Sequence, residues 1–116
     1  MSLSSDKYQA LVNLLEQLRT DVSNLHVTTP ELKQRVASLQ QLFAQEIVPL
    51  AVDANSREQS YQTEISKQLR LLEVDVMFLQ GARQTSTVQT RLKTISDRLT
   101  TLTQYCHAIL QQDTQE

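Results

Sequence analysis

Apolar residues recur every three or four positions along almost the whole chain, and this spacing constrains the fold more than any other feature. The pattern is cleanest near the C-terminus, where seven residues keep strict four-three spacing over three heptads: Val88, Leu92, Ile95, Leu99, Leu102, Cys106 and Ile109. Such a stripe lies on one face of an α-helix and is typical of a helical bundle or a coiled coil. The sequence therefore predicts long amphipathic helices that pack along their length.

Three further stripes with the same spacing precede this one. They comprise Tyr8, Leu11, Leu15, Leu18, Val22 and Leu25, then Leu32, Val36, Leu39, Phe43, Ile47 and Leu50, and then Tyr61, Ile65, Leu69, Leu72, Val76 and Leu79. Each stripe marks the buried face of one helix. We predict four helices at about residues 5–26, 30–49, 57–80 and 86–111, followed by a frayed tail over residues 112–116.

Residues that start or stop helices separate the four stripes. Thr29 is the predicted N-cap of the second helix, with Pro30 at its first helical position. Pro49 lacks a backbone donor and crowds the preceding turn, so the second helix kinks or stops near it. Candidate caps for the third helix are Asp53, Asn55 and Ser56. Gly81 stands where a left-handed C-cap would end the third helix.

The scarcity of turn residues excludes most other architectures. One Gly and two Pro in 116 residues cannot supply the turns of a β-sandwich or a barrel, nor a phosphate-binding loop. The length fits one domain over residues 1–116. We therefore predict an all-α fold, with four long amphipathic helices in an up-and-down antiparallel bundle. The heptads leave open a dimer in which two helical hairpins pair between chains.

Charge and hydropathy limit the partners. Eleven Lys and Arg against thirteen Asp and Glu give a net charge of −2, which does not favour nucleic acid. The most apolar stretch, residues 69–79, contains Arg70, Glu73 and Asp75 and is shorter than the ~20 residues of a membrane span. The N-terminal residues do not form a signal-peptide pattern. We expect a cytoplasmic protein with no membrane span.

The fourth helix carries a local excess of positive charge. Arg83, Arg91, Lys93 and Arg98 stand there against Asp97 alone. This excess can orient docking on an acidic protein surface, or can be a chance feature of a solvated face. A DNA-associated regulator would rest on this excess alone.

The chain offers few candidates for chemistry. Cys106 and His107 are neighbours in a helix, so their side chains point about 100° apart and do not face one another. The Glu-x-x-His pattern of di-iron bundles does not occur, because Ser23 and Gln104 stand three residues before the two histidines, His26 and His107. We predict no enzyme, no cofactor and no small-molecule substrate. The alternative is a small helical ligand or metal carrier that uses Cys106 and His107.

The third helix has more apolar residues than one buried face requires. Leu71, Val74 and Phe78 lie beside its main stripe. They can pack beneath the Pro49 segment, form a homodimer face, or bind a partner with Phe78 as an aromatic anchor. The candidate protein-binding site consists of these three residues and the charged residues around them: Arg70, Leu71, Glu73, Val74, Asp75, Phe78 and Arg83.

The second half of the chain resembles a known family. The runs YQTEISKQLRLLEVDVMFLQGARQ, from Tyr61, and TRLKTISDRLTTLTQYCHAIL, from Thr90, are similar to the PatD family, which controls heterocyst frequency in filamentous nitrogen-fixing cyanobacteria. The resemblance implies a non-enzymatic regulator that limits heterocyst differentiation by binding FtsZ, the tubulin-like division GTPase, and modulating its assembly. The resemblance does not assign a binding role to any individual residue of this sequence. An unrelated helical adaptor is the other possibility.

Overall fold

The computed structural model describes residues 3–50 and 55–115, with side chains for residues 5–50 and 55–111. Four helices follow one another along the chain: α1 (Leu3–Ser23), α2 (Thr29–Leu42), α3 (Ser56–Gly81) and α4 (Thr85–Gln115). A π-helical turn, Phe43–Ile47, and a 3-10 turn, Val48–Leu50, extend α2. This arrangement confirms the predicted all-α fold with four helices.

The helices form an elongated up-and-down bundle of 49 × 20 × 19 Å. Contacts between α3 and α4 show the antiparallel direction, since Tyr61 lies beside Tyr105 near one end and Phe78 lies beside Arg91 near the other. The α4 helix packs most extensively, against α1 on one side and α3 on the other. None of the described helices has a stretch long and apolar enough to cross a lipid bilayer.

The core consists of the four predicted stripes, and the prediction of their buried faces is confirmed. Residues with almost no exposed surface come from each of the four helices and from the π-helical turn: Tyr8, Leu11, Leu15, Leu18, Leu32, Ile47, Ile65, Leu72, Ile95, Leu99, Leu102 and Ile109. The stripe residues Tyr61, Val88 and Leu92 are partly buried and pack against this core. Two stripe residues are exposed, Leu25 at 73% and Leu50 at 43%. Both lie beyond the last α-helical turn of their helices, where the helical spacing no longer sets the direction of a side chain.

The first helix ends three residues before its predicted end at residue 26. Leu25 has a φ of 56°, the only non-glycine residue with positive φ among those described. The His26 N–H donates to the Asp21 carbonyl at 2.8 Å, and the Leu25 N–H donates to the Val22 carbonyl at 3.2 Å. These two bonds form a Schellman motif, which satisfies carbonyls that the helix end would otherwise leave free.

The second helix begins one residue earlier than predicted. Its N-cap is Thr28 and not Thr29, because the Thr28 hydroxyl accepts a hydrogen bond from the Glu31 N–H at 3.3 Å. The same hydroxyl donates to the Glu31 carboxylate at 3.0 Å. Pro30 therefore occupies the second helical position, where a missing N–H also costs nothing.

Pro49 is predicted to kink or stop the second helix near residue 49, and the helix does change form there, but its α-helical part ends at Leu42, seven residues before the predicted end. The α-helical pattern ends at Leu42, and the Val48 N–H donates to the carbonyl of Phe43, five residues earlier. Pro49 has no N–H to offer the carbonyl of Gln45, and its ring crowds that turn, so a widened π turn replaces the α-helix. Phe43 and Ile47 remain buried through this change.

The remaining boundaries agree with the prediction within a few residues. Asn55 caps α3, since its side chain accepts from the Glu58 N–H at 2.8 Å, while Asp53 lies outside the described residues. The predicted left-handed cap at Gly81 is wrong: Gly81 ends α3 with a negative φ, and Ala82 follows in an extended conformation. The α4 helix continues to Gln115, past its predicted end at residue 111, because the polar tail contains neither Pro nor Gly to stop it. Residue 116 lies outside the described residues.

Candidate protein-binding surface

The outer face of α3 carries exposed apolar side chains in the second half of the helix. Phe78 is 53% exposed and Val74 is 37% exposed, while Leu71 is half-buried. Spacings of three and four residues place these side chains on one stripe, which turns away from the core stripe of Leu72 and Val76. The sequence therefore identified a group of apolar residues that this chain does not fully bury.

Met77 extends this group and was missed in the sequence. It is 58% exposed, the largest exposed fraction among the described apolar residues of α3. Its only signal was its place in the apolar run, beside Phe78. We call the group of Leu71, Val74, Met77 and Phe78 the Phe78 surface.

A second helix contributes an arginine to the Phe78 surface. The guanidinium carbon of Arg91, on α4, lies 4.7 Å from the centre of the Phe78 ring. This is a cation–π contact, which holds a positive charge over the ring face. Arg91 belongs to the positive excess that the sequence shows in the fourth helix, but only the packing of α4 on α3 brings it to Phe78.

The predicted charged rim divides into groups with different surroundings. Arg70 and Arg83 are exposed, and Arg70 lies on the same side of α3 as Val74. Glu73 is exposed on the opposite edge of α3, where it lines a groove of about 220 Å³ between α3 and α2. Glu73 therefore does not border the Phe78 ring. Met77 also lines this groove and joins the two faces.

The prediction that Asp75 belongs to the exposed rim is wrong. Asp75 is only 7% exposed and forms an ion pair with Arg98 of α4, with an Oδ2 to Nε distance of 2.5 Å. Arg98 also donates through Nη1 to the Gln68 side-chain oxygen at 2.8 Å. Asp75 follows Leu72 by three residues and precedes Val76 by one, so it lies at the edge of the core stripe. Its role is to hold α3 against α4.

A second groove adjoins the Phe78 surface near the end of α2. It has a volume of about 600 Å³ and includes Phe43, Val48, Lys67, Arg70 and Leu71 in its lining. Leu71 is half-buried and faces this groove, so it lies near the Pro49 segment without being packed beneath it. Val48 remains 45% exposed within the lining.

The side chains considered for metal or thiol chemistry lie apart. Cys106 is fully buried in the core, and burial raises the pKa of its thiol to about 12. His107 is exposed on another side of α4, with Nε2 3.6 Å from a carboxylate oxygen of Glu16. Among the described residues, no three His, Cys, Asp or Glu side chains come together in a way that would hold a metal ion.

Comparison with known proteins gives a family for the chain. No curated protein and no solved structure was found to match it. A family model, that of the CRR41 C-terminal domain, matches residues 7–105. This match runs from α1 into the second half of α4 and so includes the Phe78 surface and the groove beside it. The chain belongs to the CRR41 C-terminal domain family.

Proposed function

We propose that this protein is a non-enzymatic regulator in the cytoplasm that acts by binding another protein through the Phe78 surface. The observation that carries the proposal is the exposure of Phe78, Met77 and Val74 outside a core that all four helices supply. Exposed aromatic and Met side chains are enriched at protein interfaces, where an aromatic ring is a frequent hot spot. The rim of arginines provides the polar border of such a surface.

The proposed partner follows from the resemblance of residues 61–84 and of the run from Thr90 to the PatD family. On that basis the partner is FtsZ, and the biological effect is a limit on the number of heterocysts. A helical body of this kind can change the assembly of FtsZ only if it binds the polymer and the monomer with different affinities. The effect of the protein on FtsZ assembly therefore measures the difference between its affinities for the polymer and for the monomer.

Light scattering of FtsZ polymerisation, with and without the protein, tests the proposal. We expect the protein to change the extent of assembly, and we expect Phe78→Asp to remove this effect while the circular dichroism spectrum stays helical. Leu14→Asp is the matched control, because Leu14 is 47% exposed on α1, which lies diagonally across the bundle from α3. An unchanged FtsZ scattering curve, or equal effects of the two variants, would contradict the proposal.

A further inference from the structure

The groove beneath Val48 and the Phe78 surface form one continuous track along α3. Arg70 and Leu71 line the groove, and Leu71 also belongs to the Phe78 surface. The track extends along α3 from Thr63, which lines the groove, to Phe78. At the helical rise of ~1.5 Å per residue, this distance is about 22 Å, or roughly four helical turns.

Positive charges predominate along this track. The charged side chains in the groove lining are Lys67 and Arg70, and Arg91 lies over the Phe78 ring near the end of α3. None of these three cations is in an ion pair within the described part of the chain. The excess is local, since the whole chain has a net charge of −2.

The nearby carboxylates do not neutralise the track. Asp75 is paired with Arg98, and Asp97 is paired with Lys93 at 3.3 Å. Glu73 lines the groove on the α2 side of α3. One further carboxylate of α3, that of Glu64, lies one turn before Lys67. It therefore borders only the beginning of the track.

A second copy of this chain is a poor occupant for the track. Val74, Met77 and Phe78 are on average about half exposed. If a large side chain offers about 200 Å², these three provide roughly 300 Å² of apolar surface. A stable interface buries about 800 Å² on each partner. A symmetric dimer would also bring two sets of these cations together, which disfavours self-association.

We infer that the track binds an acidic amphipathic helix of a partner protein. The inference rests on the proposed function, because it specifies the chemistry of the partner at the Phe78 surface. Leu71, Val74 and Phe78 keep the three-four spacing that receives the apolar face of a helix. Carboxylates on the flanks of that helix pair with Arg70 and with Arg91, which exchanges its contact with the Phe78 ring for an ion pair.

Two designed peptides of about sixteen residues, long enough for the roughly four turns of the track, test the inference. Both carry a leucine stripe at heptad spacing, flanked by glutamate in one peptide and by lysine in the other. Binding is measured by fluorescence anisotropy with the full chain, and the contact face is mapped by amide chemical-shift changes. We expect the glutamate peptide to bind at least about ten times more tightly than the lysine peptide, with shifts concentrated at Val48, Leu71, Val74 and Phe78. Added salt should weaken this binding.

A charge-reversed variant, Arg70→Glu with Arg91→Glu, is expected to exchange the preference between the two peptides. Equal binding of both peptides, no binding of the glutamate peptide at millimolar concentration, or shifts elsewhere on the bundle would overturn the inference. A molar mass that rises with concentration and returns to that of a monomer in Phe78→Asp would also overturn it, in favour of a second copy.

Binding of FtsZ to the native sequence and to the charge-reversed variant separates this inference from the FtsZ proposal. If the glutamate peptide binds and FtsZ does not, the acidic-helix track stands and the proposed partner is wrong. If FtsZ binds through Phe78 but charge reversal leaves its affinity unchanged, the proposed function stands and the inference is wrong.

Discussion

Leu25 adopts a backbone conformation that residues with a β-carbon rarely take. Its φ of 56° lies in the left-handed region, where the Cβ atom crowds the following carbonyl at a cost of about 1–2 kcal/mol. Its side chain is 73% exposed, so apolar burial does not offset this cost. The Schellman hydrogen bonds at the end of α1 keep the residue in this conformation.

Leu25→Gly should therefore raise the free energy of unfolding by about 1 kcal/mol, because glycine occupies the left-handed region without the Cβ contact. The measurement is urea denaturation followed by circular dichroism. Leu25→Ala is the control, since it shortens the side chain but keeps Cβ. A gain in Leu25→Ala as large as that in Leu25→Gly would show that backbone strain is not the cause.

Cys106 links stability to alkaline pH. Burial raises the pKa of its thiol from 9.0 to about 12, so the folded protein keeps the thiol neutral where the unfolded chain would ionise it. The resulting stabilisation is fully present below pH 9 and is lost as the pH rises from 9 towards 12. We expect the urea midpoint of the native sequence to fall more steeply over this range than that of Cys106→Ala. Parallel pH profiles of the two proteins would contradict this linkage.

At the scale of the secondary-structure elements, the caps and the interhelical ion pairs set where each helix begins and which helices pair. The turn between α1 and α2 combines the Schellman motif, the Thr28 cap and an ion pair between Asp21 and Arg35 at 2.8 Å. The hydrogen bond from Arg35 lowers the pKa of the Asp21 carboxyl. These local interactions hold the reversal of the chain together with Val27, which packs against the core.

The position of the α2 cap can be tested directly. Thr28→Ala should lower the free energy of unfolding by about 1 kcal/mol, because the Glu31 N–H loses its acceptor. Thr29→Ala is the matched variant and should cost less than half as much, since Thr29 lies inside the first turn. Equal losses in urea denaturation, or a larger loss for Thr29→Ala, would place the cap at Thr29.

The pairing of α3 with α4 depends on a buried charge pair. Asp75→Asn should lower the free energy of unfolding by about 2–3 kcal/mol, because Arg98 then stays partly buried without a carboxylate. Asp97→Asn removes the exposed pair with Lys93 and should cost about 0.5 kcal/mol or less. Similar losses in the two variants, measured by thermal or urea denaturation, would contradict this assignment.

At the scale of the whole molecule, the bundle separates apolar residues that maintain the fold from apolar residues that remain on the surface. Leu99 lies at the centre of the α4 stripe with no exposed surface, whereas Phe78 is half exposed on the outside of α3. The two residues are similar in hydrophobicity, yet only the first is surrounded by the other helices.

Leu99→Asp should unfold the domain, because an unpaired charge in the core costs several kcal/mol of a total stability of about 5–15 kcal/mol. Phe78→Asp should cost about 1 kcal/mol or less, mainly through the lost cation–π contact with Arg91. Circular dichroism and thermal melting distinguish the two variants. A folded Leu99→Asp, or an unfolded Phe78→Asp, would show that the division between core and surface is wrong.

Much of the fold was predictable because helical periodicity is a local property. The stripes, the stop at Pro49 and the cap at Asn55 depend on residues within one or two turns of each other. At Gly81 the predicted left-handed conformation is wrong, whereas the errors at Thr29 and at the end of α4 are errors of one to a few residues. At such positions several neighbouring residues satisfy the same rule, and packing selects among them.

The candidate site was predictable only in part. An excess of apolar residues on α3 was visible in the sequence and correctly led to the exposed side chains of Val74 and Phe78 and to the half-buried Leu71. The surroundings of each rim residue were not visible, because they depend on which edge of α3 meets α4 and which meets α2. The sequence pattern consequently places Asp75 on the rim and gives no sign of the contact between Arg91 and Phe78.

The sequence by itself therefore determined that this protein is a bundle of four amphipathic helices, because apolar spacing fixes the buried face of each helix regardless of its neighbours. Only the tertiary structure decided which charges are neutralised inside and which remain outside. Asp75 and Arg98 are 23 residues apart in the chain, and they meet only when α3 and α4 pack. The same packing leaves Lys67, Arg70 and Arg91 without carboxylates along an exposed apolar track, since the pairing of charges depends on distance in space and not on separation in sequence.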